Sequence, residues 1–343
     1  MLVSVPSAKE IKAHLLGHQD RIESIRSKGA IQGMTRHGAL RWIVALDPMF
    51  EPKVLSETEE HIVEVDFDGA IVERKKYGDA SIPRFIEYPV KDKKTWDEHK
   101  KRLDPFSPGR WPEGWEKMTE ERDFPLGMNL LSLYGNLRNY MGLENLSYAI
   151  FDNIALVEEM IEWQAYLAYE MARKVLESGV TLDWVWIWED MAYKNGPLVS
   201  PSFVRRYMAP RYRKVVDLLR SHGVEALILD CDGNIDELIP IWIDCGINAT
   251  YPLECAAGMD GRKVREKHAN NIILIGNVDK QALARGKKEI DAEIAKVKSL
   301  LEHSGYFPNV DHHIPPDVPY ENMVYFLNEL RKLSDYEETR RFI

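Results

Sequence analysis

The chain has 343 residues, with 45 Lys and Arg against 55 Asp and Glu, for a formal charge of −10. That acidity argues against a nucleic-acid binder and against an anchor for anionic membranes, both of which present basic surface. A 45% hydrophobic and 29% charged composition excludes a disordered chain. No apolar run approaches the roughly 20 residues that span a bilayer. The start, MLVSVPSAKEIKAHLL, has no basic segment leading into an apolar one. The cysteines, Cys231, Cys245 and Cys255, are odd in number and close in sequence, so a disulfide framework is not expected. The expected compartment is the cytoplasm.

In chain order, residues 8–28 carry a drifting apolar face that predicts a helix, and LRWIVAL (40–46) reads as a short buried strand. HIVEVDFDGAIVERKKYGD (61–79) alternates around Asp68-Gly69 and predicts a hairpin. The stretch 92–115 reads as a charged helix followed by a Pro/Gly/Trp-rich covering loop, whose exposed Trp and Pro residues around 106–116 would suit a homodimer interface. From residue 124 the pattern is cleaner. FPLGMNLL is a strand, 153–178 a long helix, and DWVWIWED (183–190) a strand. A helix then begins at Ser200-Pro201 and stops at Gly223. VEALILD is a strand and 234–246 a short helix; NATYPLE, NIILIGN and GYFPNV are further strands, with helices over 261–269, 287–303 and 320–334. Strands followed by helices about every 25 to 40 residues imply parallel strands with crossover helices. With no G-x-G-x-x-G after any strand, the expected fold is a single (β/α)8 TIM barrel of the α/β class over 1–343. Residues 1–124 form its less regular part and 125–335 its clear βα repeats.

Barrels place their chemistry at the C-terminal ends of the strands. Here WVWIW runs into Glu189-Asp190, LIL into Asp230-Cys231-Asp232-Gly233-Asn234, TYPL into Glu254, LIG into Asn277-Val278-Asp279, and FPNV into Asp311-His312-His313. Asp and Asn are also common helix caps after strands, which accounts equally well for Asn234, Asp260 and Asp279. Capping does not readily explain Asp230, Asp232, Glu254 and His312 together. Carboxylates converging on one rim repel unless a cation or a proton intervenes. Two chemistries fit: a divalent metal, zinc foremost, held by Asp230, Asp232, Glu254 and His312, or carboxyl and imidazole groups acting as acid and base. Glu189, Asp190, Lys194, Asn234, Asp311 and His313 are the candidate substrate contacts.

The stretches IWEDMAYKNGPLVSPSFVRRYMAPRYRKV (187–215), LILDCDGNIDELIPIWIDCGINATYPLE (227–254), LIGNVDKQALARGKKEI (274–290) and YFPNVDHHIPPDVPYENMVYFL (306–327) resemble the uroporphyrinogen decarboxylase superfamily over most of 125–335. The resemblance implies a (β/α)8 barrel, often dimeric, and two chemistries. Its decarboxylases carry an arginine-rich segment after the first strand. Here LRWIVALDPMFEP (40–52) has only Arg41, which argues against an octacarboxylate substrate. Its other branch comprises methyltransferases that work with a corrinoid carried by a partner protein, some with zinc bound through H-x-C-G-N and a later cysteine. Those places correspond to Asp230-Cys231-Asp232-Gly233-Asn234 and His312, with Glu254 matching a further ligand. Harder oxygen and nitrogen donors imply a stronger Lewis acid, suited to an ether or alcohol oxygen.

Plainer roles stand beside these. Cys245 and Cys255 read as core fillers, and Cys231 points away from its flanking aspartates. Trp184, Trp186 and Trp188 read as packing, Lys194 as a surface lysine near the rim, and Arg138 and Tyr140 as residues that an earlier strand could bring to it. The expected function is methyl transfer from a small methylated substrate to a corrinoid protein. The alternatives are decarboxylation of another carboxylate and a non-catalytic binding barrel.

Overall fold

Short strands with one buried face, each followed by a helix with one apolar stripe, can bury those surfaces only against each other. The computed structural model describes residues 39–40, 46–77, 82–111, 115 and 125–333. The helix expected over 8–28 and most of the strand expected over 40–46 lie outside them. Two units are distinguished, Ile31–Met191 with Val199–Leu227, and Ala192–Leu198 with Ile228–Ile343.

In the first unit, β1 (Ala39–Leu40), β6 (Gly127–Leu131) and β7 (Trp184–Trp188) are parallel neighbours. A separate antiparallel sheet runs β2 (Lys53–Glu57), β3 (His61–Val65), β4 (Ile71–Lys75), β5 (Arg84–Glu87). Its β3–β4 turn is the hairpin expected at Asp68-Gly69. Asp66 Oδ1 accepts the N–H groups of Asp68 and Ala70, and Gly69 supplies the positive φ. Helix α1 (Lys93–Lys100) starts at a capping box between Asp92 and Thr95. The Trp-rich loop after it differs from expectation. Trp115 is only 4% exposed, tilted against Trp111 at 4.6 Å, and Lys174 lies over the Trp111 ring. Indole area is worth more buried than displayed, so Trp115 packs inward and does not offer an exposed interface.

Helices α2 (Gly135–Met141) and α3 (Leu143–Asp152) lead into α4 (Ile154–Glu177), the long helix expected over 153–178. Its buried stripe includes Val157, Met160, Ile161, Ala168, Met171 and Val175. It packs with α5 (Ala209–Ser221), whose Tyr212, Val215, Val216 and Leu219 are buried. Each such side chain contributes about 1.5–3 kcal/mol of transfer free energy. The helix expected over 200–223 is interrupted. A turn at Pro201–Phe203, capped by Ser200, passes into a π-helical turn at Val204–Met208 before α5. Pro210 has no N–H to give to the carbonyl four residues back, and its ring crowds that carbonyl, so the helix opens there.

The second unit begins with a small hairpin, β8 (Ala192–Tyr193) against β9 (Gly196–Pro197). Its parallel strands are the end of β10 (Ala226–Asp230, from Ile228 on), β11 (Ala249–Tyr251), β12 (Ile273–Val278) and β13 (Tyr306–Val310), in that order. The register sets Asp230 beside Tyr251 and Val278 beside Val310. The strands therefore end along one edge, and the loops that follow share it. Helices α6 (Ile239–Asp244), α7 (Gly261–His268), α8 (Lys280–Arg285), α9 (Lys287–Leu301) and α10 (Tyr320–Leu333) follow these strands. The last two bury Ile290, Val297 and Leu300, and Met323, Phe326, Leu327 and Leu330. Among the described residues no helix is long and apolar enough to cross a membrane.

Gly276 in β12 has φ +107, and a Cβ there would stand 2.0 Å from the Pro252 carbonyl oxygen. Gly276→Ala should therefore destabilise the protein by about 3 kcal/mol or more, because backbone cannot yield as a side chain can. A fall in the urea midpoint without a change of slope would register it.

Candidate functional site

The loops at the strand ends of the second unit bring Asp232 and His312 together. His312 Nε2 lies 3.1 Å from Asp232 Oδ2, with about a third of each side chain exposed. Asp230 and Asp232 each offer a carboxylate oxygen, and these lie within 4.8 Å of one another. Cys231 between them is fully buried, as strand alternation requires. His313 is exposed, edge-on to His312 with ring centroids 5.1 Å apart. The phenol of Tyr251 is pushed up to about 12 by burial and by the charges of Asp230, Asp232 and Asp311. It is therefore a proton donor throughout the ordinary range.

Glu254 is turned to other work. Its Oε2 accepts the Gly233 N–H at 3.0 Å, and its Oε1 lies 3.9 Å from Lys280 Nζ. Gly233 has φ +86, and a Cβ there would meet the Ala192 and Tyr193 backbone at 2.8 Å, so only glycine allows the turn to sit beneath the β8–β9 hairpin. The Asn234 N–H bonds the Tyr193 carbonyl, and its Oδ1 accepts from Asp236 N. Lys194 is exposed beside the hairpin turn. Asp311 is fully buried, and its carboxylate takes the Cys255 N–H at 2.8 Å and the Lys280 N–H at 3.0 Å. Asn277, in the left-handed region, accepts from Gly261 N and donates to the Leu253 and Met259 carbonyls. Asp260 and Asp279 are helix caps, accepting from Arg262 N and Gln281 N. Burial pushes the Cys255 thiol up to about 12, which keeps it neutral and a poor metal ligand.

Glu189 and Asp190 belong to the first unit. Glu189 is fully buried and accepts from Leu133 N at 2.8 Å, Tyr134 N at 2.7 Å, Gly135 N at 3.4 Å and Tyr212 Oη at 2.6 Å. With all of those donors on its oxygens, it anchors the start of α2. Asp190, at φ +44, is held by Arg138, whose guanidinium bonds its carbonyl at 2.9 Å, sits 3.4 Å from its carboxylate and lies over the Trp188 ring. Sequence reading missed Tyr212, which sits on the apolar stripe of α5 like any core aromatic. It also missed Lys280, whose one signal is its place directly after a strand-end aspartate.

The donor set suits a divalent ion. Two ligands on one tetrahedral zinc lie about 3.3 Å apart, given the usual metal–ligand lengths. Asp232 and His312 stand at that spacing, and an Asp230 oxygen lies within 4.8 Å of one of Asp232; among the described residues neither His312 nor Glu254 joins both aspartates in one group of ligand atoms.

The profile of the family described as Uroporphyrinogen decarboxylase (URO-D) matches residues 77–333, and the chain belongs to that family. Among curated relatives, the uroporphyrinogen decarboxylase of Campylobacter lari is 27% identical over 128 residues, covering 37% of this chain and 33% of the relative. That of Sulfurimonas denitrificans is 21% identical over 192 residues, covering 54% of this chain and 51% of the relative. The chain thus matches about a third of the length of the first of these relatives. Among solved structures, a methyltransferase from Methanosarcina mazei aligns with TM-score 0.51 at 16% identity, over 85% of this chain and 80% of that one. At that identity the likeness shows the fold alone, which is the α/β fold of TIM-barrel type expected from the sequence.

Burial raises the Glu189 carboxyl from its ordinary 4.5 to about 7, against the hydrogen bonds that pull it down. The folded chain therefore binds more protons than the unfolded one between those values, so this group's contribution to stability falls as pH rises through that window. Glu189→Gln should remove that slope, a difference on the order of 3 kcal/mol across the window at most. Urea titrations of both proteins at pH 5 and pH 7.5 measure it.

Proposed function

We propose that this protein transfers a methyl group from a small methylated substrate, such as a methoxylated compound, to a corrinoid carried by a partner protein. The observation that carries the reading is the Asp232–His312 contact, an oxygen and a nitrogen donor at metal-ligand spacing, with an Asp230 oxygen within 4.8 Å of one of Asp232. Asp230, Asp232 and His312 would hold a divalent ion, zinc foremost. When bound, that ion supplies Lewis-acid polarisation of the substrate's heteroatom, which makes it a better leaving group. The chain's own residues do the rest. Asp311 fixes the loop that carries His312, the Glu254–Gly233 bond fixes the turn that carries Asp232, and Tyr251 offers a protonated hydroxyl beside the acids. The methyl group passes to the nucleophilic acceptor, its bonding pair stays on the leaving heteroatom, and a proton completes the product.

A second reading is favoured by the names of the curated relatives, which are decarboxylases. In it the Asp232–His312 pair is an acid that protonates the carbon left by departing carbon dioxide.

The test is the metal content of the purified full-length protein by mass spectrometry, together with turnover. Methyl transfer requires about one divalent ion per chain, lost in both Asp232→Ala and His312→Ala, and formation of methylcobalamin from reduced cobalamin and a methyl-ether panel. A metal-free wild type that releases carbon dioxide from a carboxylate panel would sink the first reading and support the second.

A further inference from the structure

Lys280 is a charge in this loop cluster that the metal set does not use and that only a long ion pair to Glu254 engages among the described residues. Its backbone N–H is tied to Asp311 Oδ1, so its Cα is fixed beside the loop that continues into His312. Its side chain is only 17% exposed. Among the described residues its ammonium meets one ionic partner, Glu254 Oε1 at 3.9 Å, which is beyond hydrogen-bond length. An ammonium has three N–H donors, and that of Lys280 is not among the buried atoms without a partner, so solvent, and hence a ligand, can reach it. Lys296 in the same unit shows the closed alternative. It is similarly shielded, at 12% exposed, but bonds Glu293 at 2.6 Å. Lys280 instead faces the Glu254 oxygen that Gly233 N–H does not take, at a distance too long for a hydrogen bond.

Asp230, Asp232 and Glu254 make the strand ends hostile to anions, so an acidic substrate needs a cation facing it. We propose that Lys280 is that cation and binds a carboxylate on the substrate, which makes the substrate a small methylated acid. Its carboxylate takes the ammonium's N–H donors in place of water, and its methylated heteroatom lies toward Asp232 and His312. The inference rests on the methyl-transfer reading for the heteroatom, but the carboxylate contact is separable from it.

The separation is made with 4-methoxybenzoate and methoxyacetate, each against its neutral amide, titrated calorimetrically into full-length protein. Wild type should bind at least one acid about tenfold more tightly than its amide, a preference of the size one exposed-to-buried ion pair supplies. Lys280→Met should erase that preference and leave amide binding unchanged; Lys280→Arg should retain most of it. In turnover, Lys280→Met should raise KM for the acid about tenfold and hold kcat within about threefold. Equal binding of acid and amide by wild type, binding of neither, or a preference that survives Lys280→Met overturns the proposal. A preference lost in Lys280→Met, with no methyl transfer from any probe, upholds the Lys280 contact and removes the methyl-transfer reading instead.

Discussion

The carboxylate of Asp311 is the fixed point of the second unit. It is fully buried, and each oxygen takes one backbone N–H, from Cys255 after β11 and from Lys280 after β12. Asp311 itself follows β13, so one side chain ties together three successive strand-to-helix loops. Charge-assisted bonds of this kind contribute about 1.5–3 kcal/mol each, and a buried carboxylate without them would be strongly unfavourable. Three positions of chemical interest hang from it directly: Glu254 precedes one donor, Lys280 is the other, and His312 is the next residue. The geometry of the acid–imidazole pair is thus a consequence of a group that itself touches no solvent.

The first unit uses the same device at Glu189. There too a fully buried carboxylate at a strand end is saturated by backbone N–H groups, with Tyr212 as a fourth donor. Acids at strand ends in this chain therefore divide into two populations. Glu189 and Asp311 hold loops in place from inside, whereas Asp230 and Asp232 remain half-exposed. Glu254 stands between the populations, holding a turn with one oxygen and facing an ammonium with the other. Burial, more than residue type, separates the anchoring carboxylates from the half-exposed ones.

That sorting explains what was legible in the sequence. Strands and helices from residue 124 onward followed from periodicity and punctuation, because a parallel strand or an amphipathic helix writes its burial into its own spacing. The hairpin at Asp68-Gly69 and the caps at Asp260 and Asp279 were readable for the same local reason. The π-helical turn at Val204–Met208 was announced only by Pro210, and Trp115 packs on Trp111, which is itself covered by the sequence-distant Lys174. Among the candidate residues, listing strand-end acids named Asp232 and His312, which lie 3.1 Å apart, and Asp230 near Asp232. It could not separate Asp311 and Glu189 as anchors, since a carboxylate buried among backbone N–H groups looks, in one dimension, like one that is half-exposed. Lys280 was passed over because a lysine opening a helix has no pattern of its own.

The β8–β9 hairpin touches the Asp-Gly-Asn turn through main-chain atoms: Gly233 lies against the backbone of Ala192 and Tyr193, and Asn234 N–H meets the Tyr193 carbonyl. The outward side chains of Tyr193 and Lys194 take no part in that support. Support and display are thereby separated. Selection can rewrite what the hairpin presents to a visiting molecule, one side chain at a time, while the aspartate beneath it keeps its place. A lineage built on this arrangement can change what it accepts more cheaply than it can change what it does.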